Sequence, residues 1–273
     1  MKRNEIKIVF TDLDRTLLRD DNTFSDKSLK ALENLQRKGI VVVIATGRNI
    51  YSASKVLPDD LPFNYLMISS GCGIIDWKTK EVIYENHLDA KEIIRVFDIF
   101  ISRNVDFMLH HPIPENHYFD YIRKNQDNQD FERRIVLYKS FARELIDLPD
   151  KASQFIAILP PGGNAKFEAI KQEIDFLKVI RATSPLDHEL IWLEVFPNGV
   201  SKGHSAQWLC DRLGIGQQFT LGIGNDFNDL DLLEFTAHSC VVANAPEELK
   251  EIYNVIDSNQ HDGFAKCMEK MLL

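Results

Sequence analysis

Short apolar runs broken by polar punctuation organise this chain. Ile6 to Phe10 is apolar apart from Lys7 and stops abruptly at Thr11-Asp12-Leu13-Asp14, which predicts a short strand ending in a polar loop. Ser25 or Asp26 is placed to cap a helix carrying Leu29, Leu32 and Leu35, with Gly39 beyond its end. Val41 to Ala45 has no polar alternation, as expected of a strand covered on both faces in a parallel sheet. Leu66 to Ile68 predicts another strand, stopped by Ser69-Ser70-Gly71. The C-terminal part repeats this grammar. Ser201 precedes a helical pattern of Ala206, Leu209 and Leu213 that ends at Gly214. Phe219 to Ile223 reads as a strand, Asn228 to Glu234 as a helix and Cys240 to Ala243 as a strand, and Pro246 suits a helix start. Alternating short strands and helices predict a doubly wound, Rossmann-like α/β fold with a parallel sheet.

The middle differs. Val105 to Leu109, Phe155 to Leu159 and Ile191 to Phe196 read as longer, more amphipathic strands, as in a sheet with one exposed face. Asn125 to Asp130 (NQDNQD) is the most loop-like segment. Residues 86–196 are therefore expected to form a second α/β unit inserted into a core made of 1–85 and 197–273. No internal repeat or low-complexity tract interrupts this layout.

Length and composition narrow the function. The 273 residues suffice for a core plus an inserted unit, and 44% hydrophobic with 27% charged residues is ordinary globular composition. A formal net charge of -9 argues against sequence-independent nucleic-acid binding, while a local cationic pocket for a small anion stays compatible with it. Cys72, Cys210, Cys240 and Cys267 form no CxxC pair, so free thiols in a reducing cytoplasm are expected. MKRNEIKIVF lacks a signal-peptide core, and no apolar stretch approaches the ~20 residues that span a bilayer. A soluble cytoplasmic protein without membrane partners is expected, and its oligomeric state is left open.

Open α/β sheets bind ligands at the carboxyl ends of their strands. Four predicted strand or helix ends carry polar clusters. Asp12-Leu13-Asp14-Arg15-Thr16 brings two carboxylates within two residues, able to hold a hard cation, to attack phosphorus and to exchange a proton with a leaving group; a solvated turn is the plainer alternative. Thr46-Gly47-Arg48 offers a hydroxyl and free backbone N–H groups for an anion, or an ordinary helix cap at Thr46. Ser201-Lys202-Gly203 puts a lysine at a helix start, where it opposes the helix dipole unless a phosphate is bound nearby. Gly224-Asn225-Asp226-Phe227-Asn228-Asp229 supplies acids and amides for a metal shell, or an Asx-rich turn. P-loop and GxGxxG patterns are absent. His110 and His111 are adjacent in a predicted strand and point to opposite faces, which disfavours paired metal ligation. Trp77, Trp192 and Trp208 read as packing residues.

In order and spacing, DLDRT, IATGR, GVSKG and GNDFND resemble the haloacid dehalogenase-like hydrolase superfamily over the whole chain. ISSGCGIID, IWLEVFPNGVSKG and the long insertion resemble its Cof-like and sucrose-phosphatase-like branch, which carries a large α/β cap. The resemblance implies a Mg2+-dependent phosphatase acting on a small phosphorylated metabolite, a sugar or polyol phosphate by analogy with that branch. It implies Asp12 as nucleophile and metal ligand, and Asp14 as acid/base whose backbone carbonyl also meets the metal. Thr46, Gly47, Lys202 and Asn228 would hold the phosphoryl group, Asn225 or Asp226 would bind the metal, and Asp229 would support that shell. Arg48, His188 and Glu189 are the candidates for substrate selection. Three positions depart from the family pattern: Arg15 where glycine is common, Asn225 where the metal-binding aspartate usually stands, and Ser70 where many relatives have asparagine. A phosphotransferase or mutase, and a non-catalytic phosphate-ligand sensor, are the alternatives.

Overall fold

The computed structural model describes residues 6–125, 128–159, 162–183 and 190–272. The chain divides into two compact units, residues 1–84 with 201–273, and residues 85–200 inserted between them in sequence.

The first unit is built on an eight-stranded sheet. Its spatial order is Asn254–Ile256, His238–Val242, Thr220–Gly224, Ile8–Thr11, Val41–Ala45, Tyr65–Ile68, Gly73–Asp76 and Val82–Glu85. The strands from Asn254–Ile256 to Tyr65–Ile68 run parallel, and Gly73–Asp76 returns antiparallel. The unbroken apolar runs are explained by burial on both faces. Ile8, Phe10, Val43, Ala45 and Met67 pack with Ala206 and Leu209 of the helix Lys202–Leu213, and the alternate residues Val9, Val42 and Ile44 are also fully buried. Ser25 caps the helix Asp26–Arg37 through a bond from the Ser28 N–H at 3.0 Å, and Gly39 adopts φ +70° beyond its end. Several element bounds differ from expectation by one or two residues, and Pro246 stands just before the helix Glu247–Ile252 rather than in its first turn.

The order of this sheet sets the site. From Ile8–Thr11 the chain crosses to Val41–Ala45 on one side and reaches Thr220–Gly224 on the other, and Thr11 lies level with both Ile44 and Ile223. The strand ends that carry Asp12, Thr46 and Asn225 therefore open side by side at the switch point of a doubly wound sheet.

The inserted unit has a six-stranded sheet in the order Lys178–Thr183, Ile191–Phe196, Gln154–Leu159, Asp106–His110, Phe119–Ile122 and Ala142–Glu144. All its pairings are antiparallel except the last. One face packs Phe107, Leu109, Phe155, Ala157 and Leu193 against Ile93, Val96 and Phe100 of the helix Ala90–Ser102 and against Phe167 and Ile170 of the helix Asn164–Glu173. The expected exposed second face is not found, since Asp106–His110 and Gln154–Leu159 are buried at every position. The helix Gln129–Leu137 lies against that second face: Asp130 accepts from the Trp192 indole at 3.2 Å, and the Arg134 guanidinium stands 4.9 Å from the Trp192 ring. Trp192 thus has a polar partner besides its packing. Of the NQDNQD segment, expected to be loop-like, Asn128 caps this helix and Gln129 and Asp130 open it, while residues 126 and 127 lie outside the described residues. Among the described residues, no helix is long and apolar enough to cross a membrane.

Candidate active site

Asp12 follows directly on the first strand, held there by its N–H to the Ile223 carbonyl at 2.8 Å. Its carboxylate is almost fully buried. Lys202 Nζ donates to Asp12 Oδ1 at 2.7 Å and to Asp229 Oδ1 at 2.6 Å, and Lys202 itself has no exposed surface. Asp12 Oδ2 is buried with no hydrogen-bond partner. Burial pushes the Asp12 carboxyl up to about 7; Lys202 pulls against this, while Asp229 and Asp14 add to the rise. Burial opposes the Lys202 charge too, but Asp12 and Asp229 outweigh it and hold its pKa above the ordinary lysine value.

Asp229 is tied by its other oxygen, which accepts from the N–H groups of Asn225 at 2.8 Å and Asp226 at 3.2 Å. It therefore shapes the 224–229 turn around the ammonium. Gly224 permits this, since a Cβ there would stand 2.6 Å from the Asp229 Cβ. The expected helix over Asn228 to Glu234 begins as a tight turn, Phe227–Asp229, and continues as the helix Leu230–Phe235. Asp226 caps that turn by accepting from the Phe227 N–H at 2.8 Å, and burial raises its pKa.

The Asp14 carboxylate is gripped by Arg48. Nε lies 3.0 and 2.9 Å from its two oxygens and Nη2 lies 2.5 Å from Oδ1. The guanidinium is fixed in turn by the Ser52 carbonyl at 3.1 Å and the Asn22 side chain at 2.9 Å. A forked pair of this kind orients a carboxylate more firmly than a lysine can. Arg48, expected at substrate selection, lies on the acid/base candidate Asp14. Thr46 Oγ1 accepts from the Arg48 N–H at 3.1 Å and reaches Asp14 at 3.5 Å. The cap of the following helix is Asn49, whose side chain accepts from the Ser52 N–H, and not Thr46.

Gly47 lies beside these groups. A Cβ built on it would meet Ser70 Oγ at 3.7 Å and Asn228 Nδ2 at 3.8 Å, which places Ser70 and Asn228 next to Gly47. Ser69, Ser70 and Gly71 all have positive φ, and Ser70 N–H bonds to the Thr46 carbonyl at 3.0 Å. Gly71, at φ +100°, has room for no side chain: a Cβ would lie 2.4 Å from the Ser201 carbonyl oxygen. Arg15 explains why glycine suits its position, because its φ is +55°. Its carbonyl accepts from Asn244 at 2.9 Å, and its side chain is half-exposed, 3.7 Å from Asp20.

The structure thus brings together Asp12, Lys202, Asp229 and the 224–229 turn, and it couples Asp14 to Thr46 and Arg48. His188 and Glu189 lie outside the described residues. Asn22, Asn49 and Asn244 are supporting residues that the sequence reading missed, and only Asn49, three residues before Ser52, carried a local capping signal.

The donor set fits a divalent cation. Asp12, Asp14, Asp226 and Asp229 outnumber Lys202 and Arg48, an acceptor oxygen of Asp12 is buried and unpartnered, and burial raises both Asp12 and Asp226. Among the described residues, no three acidic, histidine or cysteine side chains gather around one point. A metal here would draw on carbonyl, amide and water oxygens beside carboxylate, the mixture magnesium accepts.

Comparison with known proteins identifies the family and the fold. The profile of the haloacid dehalogenase-like hydrolases matches residues 9–268. A protein of Streptococcus pyogenes serotype M6, named as a candidate phosphatase, is 28% identical over 281 residues, covering 98% of this chain and 99% of its own. The 5-amino-6-(5-phospho-D-ribitylamino)uracil phosphatase YwtE of Bacillus subtilis is 25% identical over 288 residues, covering 98% of each chain. The solved structure of the subclass IIB sugar phosphatase BT4131 superposes with a TM-score of 0.76 at 19% identity, covering 97% of this chain and 98% of that one.

Proposed function

The chain belongs to the haloacid dehalogenase-like hydrolase family, and on that premise we propose that it is a magnesium-dependent phosphatase of small phosphomonoesters that works through an aspartyl-phosphate on Asp12. One observation carries the reading: a buried carboxylate with one oxygen on a buried lysine and the other left unpartnered, at the switch point of the sheet.

An Asp12 oxygen forms the bond to phosphorus as the bond to the leaving oxygen breaks, and Asp14 gives that oxygen its proton. Asp14 then takes a proton from the water that attacks phosphorus, inorganic phosphate departs and Asp12 is regenerated. Arg48 holds Asp14 in one orientation through both steps. Lys202, the Gly47 N–H and the Thr46 and Asn228 side chains face the phosphoryl oxygens, where charge must be stabilised. Asp12, the Asp14 carbonyl and Asn225 or Asp226 would hold magnesium, which supplies Lewis-acid neutralisation of the phosphoryl charge. The substrate class is a sugar or polyol phosphate: the names of the Bacillus subtilis and BT4131 relatives carry a phosphorylated ribityl chain and a sugar. No nucleic acid or membrane partner is proposed for a chain of net charge -9, and its buried free cysteines suit the cytoplasm.

The test is phosphate release from a panel of phosphorylated metabolites, with magnesium and with EDTA, beside Asp12→Asn. Release that needs both magnesium and Asp12 is expected. Release from no compound, or release that survives Asp12→Asn, contradicts the proposal.

A further inference from the structure

Two asparagines far from Asp12 in sequence close a ring of hydrogen bonds around the loop that carries Asp14. Both follow outer strands of the first unit's sheet. Asn244 stands just after His238–Val242, and Asn259 shortly after Asn254–Ile256. The parallel sheet therefore brings them to the edge where Asp12 and Asp14 leave the strand Ile8–Thr11. The Asn259 N–H donates to Asn244 Oδ1 at 3.1 Å, and Asn244 Nδ2 donates to the Arg15 carbonyl at 2.9 Å. A backbone N–H can only donate and a carbonyl can only accept, so this arrangement fixes the orientation of the Asn244 amide and uses both of its halves. The buried Asn259 side chain carries the ring on, its Nδ2 donating to the Leu18 carbonyl at 3.1 Å and to Asp20 Oδ1 at 2.9 Å.

From there the ring returns to Asp14 by a second route. The Arg19 N–H donates to the Thr23 carbonyl at 2.9 Å, closing a turn that contains Asn22. Asn22 accepts from Arg48, and Arg48 holds the Asp14 carboxylate. Asp14 is thus held through its carboxylate by Arg48 and through its backbone by the bond to Arg15. The backbone requires that restraint. Asp14 (φ -74°, ψ 125°) and Arg15 (φ 55°, ψ 19°) have close to the dihedrals of the central pair of a type II turn. The second of these positions favours glycine, and an arginine there is strained. Such a conformation persists only where its surroundings fix it, and the bonds to the Arg15 and Leu18 carbonyls do so.

We propose that Asn244 and Asn259 are positioning residues that hold Arg15 in its left-handed conformation and thereby aim Asp14. As an account of turnover this rests on the phosphatase reading; as a restraint on the loop it does not, and hydrogen exchange without substrate tests it. Amide exchange in the peptide covering Leu13 to Leu18, and the kcat and KM of phosphate release, are measured on the full-length protein, on Asn244→Leu, and on Asn244→Leu combined with Arg15→Gly. Asn244→Leu nearly keeps the shape of the side chain and removes both of its bonds. Asn259→Ala breaks the ring at Leu18 and Asp20 instead, and remains informative if Asn244→Leu fails to fold. Either variant is expected to speed exchange at Leu13 to Leu18 by about tenfold, as loss of a hydrogen bond does, and to leave the strand Val41–Ala45 unchanged. Either lowers kcat by about tenfold with KM within about twofold. Glycine takes the left-handed conformation without strain, so Arg15→Gly in the Asn244→Leu chain recovers at least about threefold of the lost kcat. Unchanged exchange at Leu13 to Leu18, exchange that rises equally in the strand, a change confined to KM, or a kcat loss that Arg15→Gly does not recover overturns the proposal. If the wild type releases no phosphate, exchange alone decides the restraint, so its failure is distinguishable from failure of the phosphatase reading.

Discussion

Replacing Lys202 with methionine tests the electrostatics of the site through stability alone. The substitution keeps volume and removes the ammonium that lies 2.7 Å from Asp12 and 2.6 Å from Asp229, both buried. Breaking a buried ion pair by removing one partner costs about 3–5 kcal/mol. Part of that cost has an outlet. Asp229 keeps the Asn225 and Asp226 N–H groups, and Asp12, already raised to about 7, can take a proton. The loss is therefore expected at the low end of the range, about 3 kcal/mol, at pH 6 and at the high end, about 5 kcal/mol, at pH 8. The sign follows from proton linkage. With a folded pKa above the unfolded carboxylate value, the folded wild type binds more protons than the unfolded chain, so this group's contribution declines as pH rises from about 4 to about 7. Without Lys202 the folded pKa climbs further, and the decline continues through pH 8. Urea unfolding in EDTA at both pH values reads the difference. A variant as stable as the wild type, or one that gains stability between pH 6 and pH 8, refutes the reasoning.

Three further outcomes are expected. Arg48→Lys keeps the charge but loses the fork on Asp14, so kcat falls about tenfold or more, within the range general acid–base catalysis contributes, while KM changes little; a change confined to KM would return Arg48 to substrate selection. Arg15→Gly relieves a left-handed backbone at φ +55° and frees the unfolded chain, leaving the protein more stable by less than about 1 kcal/mol in urea titrations; marked destabilisation would show that the Arg15 side chain contributes to the fold. In the magnesium dependence of activity, Asp226→Ala raises the required concentration sharply if Asp226 is a ligand, and Asn225→Ala does so if the amide is; two unchanged curves would remove the 224–229 turn from the metal site.

The sequence announced the parts of the site that are local. Asp12, Thr46 and the 224–229 turn each follow an apolar run, and a parallel sheet places the ends of such runs together. Arg48 was visible as a cation near a phosphate loop, but its grip on Asp14 spans 34 residues and exists only once two strands lie side by side. The inserted sheet was misread because alternation was taken for an exposed face, whereas the helix Gln129–Leu137 lies against it through Phe131 and also through Asp130 and Arg134, polar residues that no apolar pattern marks as buried contacts. The backbone demands at Arg15, Ser69 and Ser70 were equally hidden, since a positive φ leaves its clearest sequence signal where glycine is used.

The central claim is that Asp12 carries the phosphoryl group. Its most direct measurement is acid quenching during turnover, with magnesium and the best substrate of the panel, followed by mass-spectrometric mapping of the phosphoryl adduct. The account predicts an adduct on the peptide containing Asp12 that is absent from Asp12→Asn. Turnover accompanied by an adduct on any other residue would contradict it.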